Sequence, residues 1–300
     1  MLMNKRVLLV FFLFFIFASL AVWLFLFKSS IFHLFVSEQP FALLCIVALY
    51  FSSHSVRMLR LSLLTLDERE KALSLMGAHA LTAFPSAFLP FKIGEFLRLG
   101  GFFYVYSGRR KALAIWLAER FSDIVVLVLC IVGFYIFNVE VPAEMRAVFM
   151  VFLSACLLGL FGMFAVSKVF VYLNRHLVLV SHSSRGLSLL KVSHGLRLLE
   201  ADVVKSVEGR LSGILLLTIL VWALEMLAIA VFVKVIEANE PSMASLFYSI
   251  LLGGLTDGSN TQLNVFGLHQ SLALALLASV FLVLAGTATL LKESRSQDAR

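Results

Sequence analysis

The chain has 300 residues, of which 61% are hydrophobic and only 14% are charged. Soluble domains average about 25% charged residues, so this composition excludes an ordinary soluble protein and indicates an integral membrane protein. The net charge of +7 comes from basic residues that flank apolar segments, which is typical of contact with anionic lipid headgroups and argues against nucleic-acid binding.

Six stretches of the chain are long and apolar enough to be predicted as membrane-spanning helices. They lie at 7–27, about 40–56, 112–137, 147–173, 211–236 and 268–291. The first follows two basic residues, as in a signal peptide, but no small-residue cleavage site comes after it. It is therefore predicted to remain as the first helix of the protein.

Two further apolar segments are interrupted in ways that lipid does not tolerate. The segment 72–91 contains Pro85 and Pro90, each of which removes a helical hydrogen bond. The segment 245–255 is short and runs into the polar stretch TDGSNTQLN at 256–264. Irregular backbone at membrane depth occurs only where protein or water surrounds it, so both are predicted to be broken segments inside the protein.

The distribution of Lys and Arg predicts the orientation of the helices. The termini and the segments 57–71, 98–111 and 174–210 hold most of the basic residues, so the positive-inside rule places all of them in the cytoplasm. Because 57–71 and 98–111 share one side, the piece between them is predicted to enter the membrane and return as a re-entrant segment. By the same reasoning, the segment 245–264 dips in from the outside.

These elements predict an all-α polytopic protein of the cytoplasmic (inner) membrane, with about six full spans and two re-entrant broken segments. Residues 1–300 would form a single integral membrane domain whose halves, about 1–140 and 141–300, form an inverted-topology repeat. A kinked full span at 72–91 is the alternative. The connection 174–210 carries apolar residues at near-helical spacing and is predicted to be a cytoplasmic amphipathic segment.

Six charged residues near the first broken segment form the main candidate site: Lys92, Glu95, Arg98, Glu119, Arg120 and Asp123. The last three fall inside the predicted span 112–137, where a charge costs at least about 2.5 kcal/mol and marks a functional site by default. Residues three or four positions apart share a helix face, so these side chains can pair. The cations and anions balance, which suits a substrate site or a structural ion network. Arginine binds phosphate through two donors, so phosphate is the expected substrate group.

Polar residues of the second half extend the predicted substrate-binding set. They are Trp222 and Glu225 in the span 211–236, Asp257 and Asn260 in the second broken segment, and His269 and Gln270 at the start of the last span. Glu225 is expected either to pair with a neighbour or to lie on a proton or substrate path. The alternative for 256–264 is an ordinary solvated loop.

No catalytic residue, cofactor or metal site is predicted. The sequence contains no nucleophile motif, P-loop or dinucleotide fingerprint, and its seven histidines lack metal-ligand spacing. The three cysteines lie in apolar stretches and are interpreted as buried thiols. The sequence therefore favours a non-enzymatic protein and leaves an enzymatic activity open.

Three short motifs together resemble the lysylphosphatidylglycerol synthase transmembrane region, a family also called flippase-like integral membrane proteins. They are GE-x-x-R at 94–98, ER-x-x-D at 119–123 and W-x-x-E at 222–225. The resemblance covers nearly the whole chain and implies an eight-segment membrane fold that translocates lipids or lipid-linked sugars. The family's Pro-Gly-Gly-rich stretch and Gly-Val-x-Glu are replaced here by GGLTDGSN and, at 267–270, GLHQ. Nothing resembles the soluble aminoacyl-transferring domain, so lysyl transfer by this chain is not expected.

Three functions are compatible with the sequence. The first is a flippase that moves an anionic phospholipid or a polyprenyl-phosphate-linked glycan precursor between leaflets. The second is a membrane-embedded transferase on a polyprenyl-phosphate substrate, with Glu119 or Asp123 as base. The third is a noncatalytic partner of a membrane glycosyltransferase, docking through 174–210. The predicted repeat, the lack of a catalytic motif and the resemblance favour the first, with lipid and membrane as partners and no nucleic acid.

Overall fold

The structure is a computed structural model that describes residues 5–36, 40–88, 93–106, 108–138, 143–180, 184–232, 234 and 267–284. These residues form helices and short turns, and none of them lies in a β-strand. The predicted all-α class is therefore confirmed for the described part of the chain. The second broken segment, 245–264, lies outside the described residues, and so do Asp257, Asn260 and Lys92.

The described helices follow the hydropathy of the sequence closely. They are α1 (Lys5–Val36), α2 (Pro40–Leu64), a 3₁₀ turn (Leu66–Glu68), α3 (Arg69–Phe88), α4 (Ile93–Val105), α5 (Arg109–Ile136), α6 (Ala143–Val180), α7 (Ser184–Val207), α8 (Leu211–Phe232) and α9 (Gly267–Leu284). Helix α7 supplies the helical segment expected within 174–210. Helix α6 continues seven residues beyond the predicted end of its span at 173.

Four of the described helices are both long and apolar enough to cross a membrane, namely α1, α2, α8 and α9. The protein is thus an integral membrane protein, while the predicted six spans are not confirmed. Helix α5 has 28 residues, which is ample length, but Glu119, Arg120 and Asp123 interrupt its apolar run. The inverted repeat is not confirmed either.

Helix α2 extends further than the sequence predicted. The predicted span ends at 56, before Arg57, whereas the helix continues to Leu64. Arg57 and Arg60 therefore project from a membrane-spanning helix and not from the following loop. A span predicted from hydropathy ends at the first charged residue. The helix itself can continue, because its charged side chains find partners in the protein.

Helices α3 and α4 form an antiparallel hairpin. A Cβ added at Gly94 would collide with Ser86, and one added at Gly101 would lie 3.2 Å from the Cβ of Ala78, so the two helices touch along their length. The start of α3 also lies close to the end of α4, because the Lys71 ammonium is 4.7 Å from the ring of Tyr106. Helix α4 has 13 residues and is about 20 Å long, too short for a hydrocarbon core of about 30 Å.

The predicted break at Pro85 is not observed, because α3 runs through this residue to Phe88. Proline removes one backbone hydrogen bond, and this position lies in the final turn, where little helix remains to be disrupted. Pro90 lies between α3 and α4, outside the described residues.

We expect Gly94→Ala to destabilise the protein, because the added methyl group meets both the backbone and the side chain of Ser86. Overpacking of this kind costs roughly 1–3 kcal/mol. Gly100→Ala is the matched control, since nothing lies within 4 Å of a Cβ at that position of the same helix. Thermal unfolding in detergent should show a lower midpoint for the first variant alone. Equal midpoints would contradict the close packing of the hairpin.

Charged residues at one end of the helix bundle bring together the three segments predicted to be cytoplasmic. Arg210 donates to Asp67, Lys111 donates to Glu68, and Arg110 Nε lies 2.6 Å from Asp202 Oδ2. The hydrogen bond from Arg210 lowers the pKa of Asp67, and the one from Lys111 lowers the pKa of Glu68. The three segments thus lie on the same side of the bundle, as the charge pattern predicts.

The apolar core consists of several clusters of buried side chains that join neighbouring helices. Helices α1, α3 and α9 share one cluster, in which Trp23 packs edge-on against Phe84 with ring centroids 5.5 Å apart. Helices α2 and α8 run antiparallel, since Arg210 at the start of α8 donates to the carbonyl of Leu63 at the end of α2. This antiparallel pair supplies two walls of the candidate site.

Candidate functional site

Arg60 of α2 is the centre of a buried charged cluster that α4, α5 and α8 complete. Its side chain has 0% exposure. Nη1 donates to Asp123 Oδ1 at 2.5 Å and to Thr218 Oγ1 at 2.9 Å, and Nη2 donates to Glu119 Oε1 at 2.8 Å. Because its partners lie on α5 and α8, this buried guanidinium of α2 links three helices.

Glu119 joins two arginines from different helices. One carboxylate oxygen accepts from Arg60 and the other from Arg98 of α4, and the side chain is fully buried. Glu119 shares the buried stripe of α5 with Ile115, Ser122 and Val126, all at helical spacing. The same 3.6-residue periodicity that buries apolar side chains therefore carries the carboxylate into the interior.

Arg120 and Glu95 form the accessible edge of the cluster. Their side chains are 27% and 29% exposed, and Arg120 Nη2 lies 3.7 Å from Glu95 Oε2. Arg120 also lies 3.5 Å from Asp123 and 3.8 Å from Glu119, distances too long for hydrogen bonds. Its Nε and Nη2 atoms are buried and have no hydrogen-bond partner. Arg120 is therefore held by charge alone and keeps free donors.

Glu95 is also weakly tied to its other neighbours. Its Oε1 lies 3.6 Å from Arg98 Nη1, and its Oε2 accepts from Trp116 Nε1 at 3.4 Å. By contrast, Arg98 has 4% side-chain exposure, donates to Glu119 and lies over the ring of Phe102 at 5.6 Å. The interior of the cluster is therefore held by hydrogen-bonded ion pairs, whereas Glu95 and Arg120 at its edge have longer and weaker contacts.

A second ion pair lies one turn of α2 away from Arg60. Arg57 Nη2 donates to Glu225 Oε1 of α8 at 2.6 Å, and Ser53 Oγ donates to the same oxygen at 2.8 Å. The side chains of Arg57 and Glu225 are 13% and 8% exposed. The sequence left open whether Glu225 pairs with a neighbour, and the structure gives it this partner.

Among the described residues, the other predicted site residues of the second half are Trp222, His269 and Gln270, which contact other parts of the bundle. Trp222 packs in an apolar cluster with residues of α5 and α6. The ring of His269 meets Phe232 edge-on at 5.4 Å, and Gln270 donates to the hydroxyl of Tyr50. Gln270 therefore contacts α2 one turn before Ser53. Lys92, Asp257 and Asn260 lie outside the described residues, so their predicted roles stay predictions.

The sequence interpretation missed Arg57, Arg60 and Thr218 as site residues. A signal was present, because the polar residues of α2 recur at 50, 53, 57 and 60, the spacing of one helix face. Thr218 and Glu225 are seven apart on α8 and likewise share a face. The polar face of α2 was missed because the predicted span ended before Arg57.

The observed cluster remains balanced in charge. Its described members are four arginines and four carboxylates: Arg57, Arg60, Arg98, Arg120, Glu95, Glu119, Asp123 and Glu225. Pairing of this kind is what allows ionised groups to remain inside a protein, since each isolated charge would cost several kcal/mol. An anion entering the cluster must therefore compete with a carboxylate for an arginine.

The geometry does not favour the transferase hypothesis. Glu119 accepts from two arginines and Asp123 accepts from Arg60, so both candidate bases already link helices through arginine. Among the described residues, no group of three His, Cys, Asp or Glu side chains is arranged to hold a metal ion.

Comparison with protein families gives a match that covers most of the chain. The model for the "Lysylphosphatidylglycerol synthase TM region" matches residues 6–257, which is most of the chain and includes every helix that carries the charged cluster. Comparisons with curated proteins and with solved structures gave no match.

Proposed function

Because the chain belongs to the lysylphosphatidylglycerol synthase TM region family, whose members are membrane proteins related to lipid handling, we propose that it moves a phosphate-bearing lipid between leaflets. The lipid is an anionic phospholipid or a polyprenyl-phosphate-linked glycan precursor. The cell membrane in which it acts is the cytoplasmic membrane, with both termini in the cytoplasm.

The single observation that carries this proposal is the state of Arg120. Its guanidinium stands at the accessible edge of a buried, charge-balanced cluster, and two of its nitrogen atoms have no hydrogen-bond partner. Arginine binds phosphate in a bidentate manner, and charge-assisted hydrogen bonds are about twice as strong as neutral ones. Because these two nitrogen atoms are buried, a lipid phosphate would have to enter from the exposed side of Arg120 to reach them.

The neighbouring carboxylates explain how such a lipid would be released. Glu95 and Asp123 attract Arg120 from 3.7 and 3.5 Å, so they offer it an alternative partner whenever the phosphate leaves. The free energy of lipid binding is then the difference between the Arg120–phosphate pair and the Arg120–carboxylate pair that it replaces. This difference is small, so binding stays weak, as a carrier requires. The acyl or prenyl chains remain in the bilayer, because only the headgroup requires a polar surrounding.

The hairpin of α3 and α4 provides the entry side. Arg98 and Glu95 lie on α4, which starts inside the bundle and returns to the end that carries Asp67, Glu68 and Arg210. With that end in the cytoplasm, the hairpin acts as a re-entrant segment that opens the charged edge to the inner leaflet.

We expect the purified protein in liposomes to accelerate leaflet exchange of a fluorescent phosphate lipid. Phosphatidylglycerol and a polyprenyl phosphate are the test lipids. A phosphate-free glycolipid of equal chain length is the matched control, because it lacks the anionic group that arginine binds through two donors. Dithionite quenching of outer-leaflet fluorophores measures the rate. If exchange of all phosphate lipids equals that in empty liposomes, the flippase proposal is wrong, and the glycosyltransferase-partner hypothesis takes its place.

A further inference from the structure

Two histidines are stacked between α2 and α3, and one of them, His54, lies three residues before Arg57 of the charged cluster. His54 Nδ1 and His79 Nε2 lie 3.3 Å apart, and the ring planes differ by 25° with centroids 5.5 Å apart. One imidazole therefore donates its N–H to the other. His79 is 2% exposed, and its remaining nitrogen, Nδ1, is buried without a hydrogen-bond partner.

This arrangement leaves an unused polar atom in the interior. An unpaired buried nitrogen costs roughly 1–3 kcal/mol, so a well-packed helix interface would not keep one without compensation. When His79 Nε2 donates to His54, Nδ1 of His79 is a free lone pair. A proton from water that binds there turns the pair into an imidazolium hydrogen-bonded to a neutral imidazole.

The charges that act on the pair belong to the cluster itself. They are Arg57 on α2, Arg98 on α4 and Glu119 on α5, and Arg57 in turn is paired with Glu225 on α8. Helix α1 also packs against α2 and α3, but its Lys28 and His33 are exposed near its other end. In the described part of α9 the one ionisable residue is His269, whose ring meets Phe232 edge-on.

Resting on the proposed function, we infer that the His54–His79 pair is a proton-binding site linked to the anion site. The empty cluster is balanced in charge, so a proton on the pair adds one positive charge beside it. A phosphate bound at Arg120 adds a negative charge that attracts this proton, so the pair takes up a proton with the lipid. By reciprocity, a proton on the pair must strengthen phosphate binding by the same factor.

The coupling gives the carrier a link to the proton gradient. The phosphodiester brings one negative charge and the proton one positive charge, so the loaded cluster has the same net charge as the empty one. Moving a neutral load through the membrane interior avoids the cost of an uncompensated charge. The proton gradient would then bias the direction of lipid movement.

Calorimetry on the full-length protein in detergent tests this inference. We titrate dihexanoyl-phosphatidylglycerol in two buffers of different ionisation enthalpy, which gives affinity and proton uptake together. Uptake of up to about one proton per bound lipid is expected at the pH values at which the binding affinity itself changes with pH. Lowering the pH by one unit should strengthen binding by up to about tenfold.

Variants of the pair separate proton binding from lipid binding. His79→Gln and His54→Gln are expected to bind the lipid without proton uptake, because glutamine keeps a hydrogen-bonding group but does not titrate. If His79→Gln, at the buried position, fails to fold, proton uptake is measured on His54→Gln, whose position is half-buried. His194→Gln, at an exposed position of α7, should behave as the wild type.

The outcomes distinguish the two proposals. Wild-type binding with no proton uptake would overturn the linked proton site and leave the flippase proposal intact. Unchanged uptake in both histidine variants would also overturn it, since the proton would then bind elsewhere. No binding of the lipid by the wild type would contradict both.

Discussion

Arg60→Met is expected to cause the largest loss of stability of any single substitution in the protein. Methionine approximates the length of the side chain but leaves Glu119 and Asp123 without their shared cation in a fully buried position. Breaking a buried ion pair by removing one partner costs roughly 3–5 kcal/mol, which approaches the whole stability of many proteins. Size-exclusion chromatography after heating in detergent measures the fraction that remains monodisperse.

A second arginine provides the control for this prediction. Arg110 lies on the surface part of α5 with 49% side-chain exposure and pairs with Asp202, so Arg110→Met should cost only about 0–1 kcal/mol. Adding Asp123→Asn to Arg60→Met should recover part of the loss, because it removes one unpaired charge. Fully additive losses from the two substitutions would show that Arg60 and Asp123 do not stabilise each other.

Arg120→Gln is expected to abolish most of the lipid exchange while leaving the fold intact. Arg120 makes no hydrogen bond to its carboxylate neighbours, which lie 3.5–3.8 Å away, so the fold loses little when it is removed. A hydrogen bond to a charged group contributes about 1.5–3 kcal/mol, which corresponds to roughly a 10- to 100-fold lower rate of exchange if phosphate binds there. The liposome assay with phosphatidylglycerol measures this rate.

Two further variants make the result specific. Arg120→Lys keeps the charge but loses the bidentate geometry, so an intermediate rate is expected. Arg197→Gln, at an exposed position of α7, removes the same kind of side chain away from the cluster and should leave the rate unchanged. If Arg120→Gln exchanges lipid as fast as wild type, the phosphate does not bind at this edge.

The different roles of Arg60 and Arg120 follow from burial and not from residue type. Both are arginines in long helices, and both have Asp123 within 4 Å. Arg60 donates hydrogen bonds to α5 and α8 and has 0% exposure, whereas Arg120 has 27% exposure and two donors without partners. The first is thus suited to hold the helices together and the second to bind a ligand.

Hydropathy and charge in the sequence were sufficient to predict the class of protein and several of its helices. Long apolar runs have no stable place but a membrane or a deep core, and the described chain is all-helical with four candidate spans. The same reasoning marked Glu119, Arg120 and Asp123 as a site, because a charge within such a run must find a protein partner. These conclusions rest on local composition, which needs no knowledge of distant contacts.

Only the tertiary structure decided which partner each charge has. Arg60 and Asp123 are 63 positions apart, and Arg57 and Glu225 are 168 apart, so no spacing in the sequence connects them. The sequence paired Arg120 with Asp123 because they are three apart, yet the closer bond of Asp123 is to Arg60. In a low-dielectric interior, the strongest pairs are those that packing brings to hydrogen-bond distance, and helix packing is determined by the whole chain.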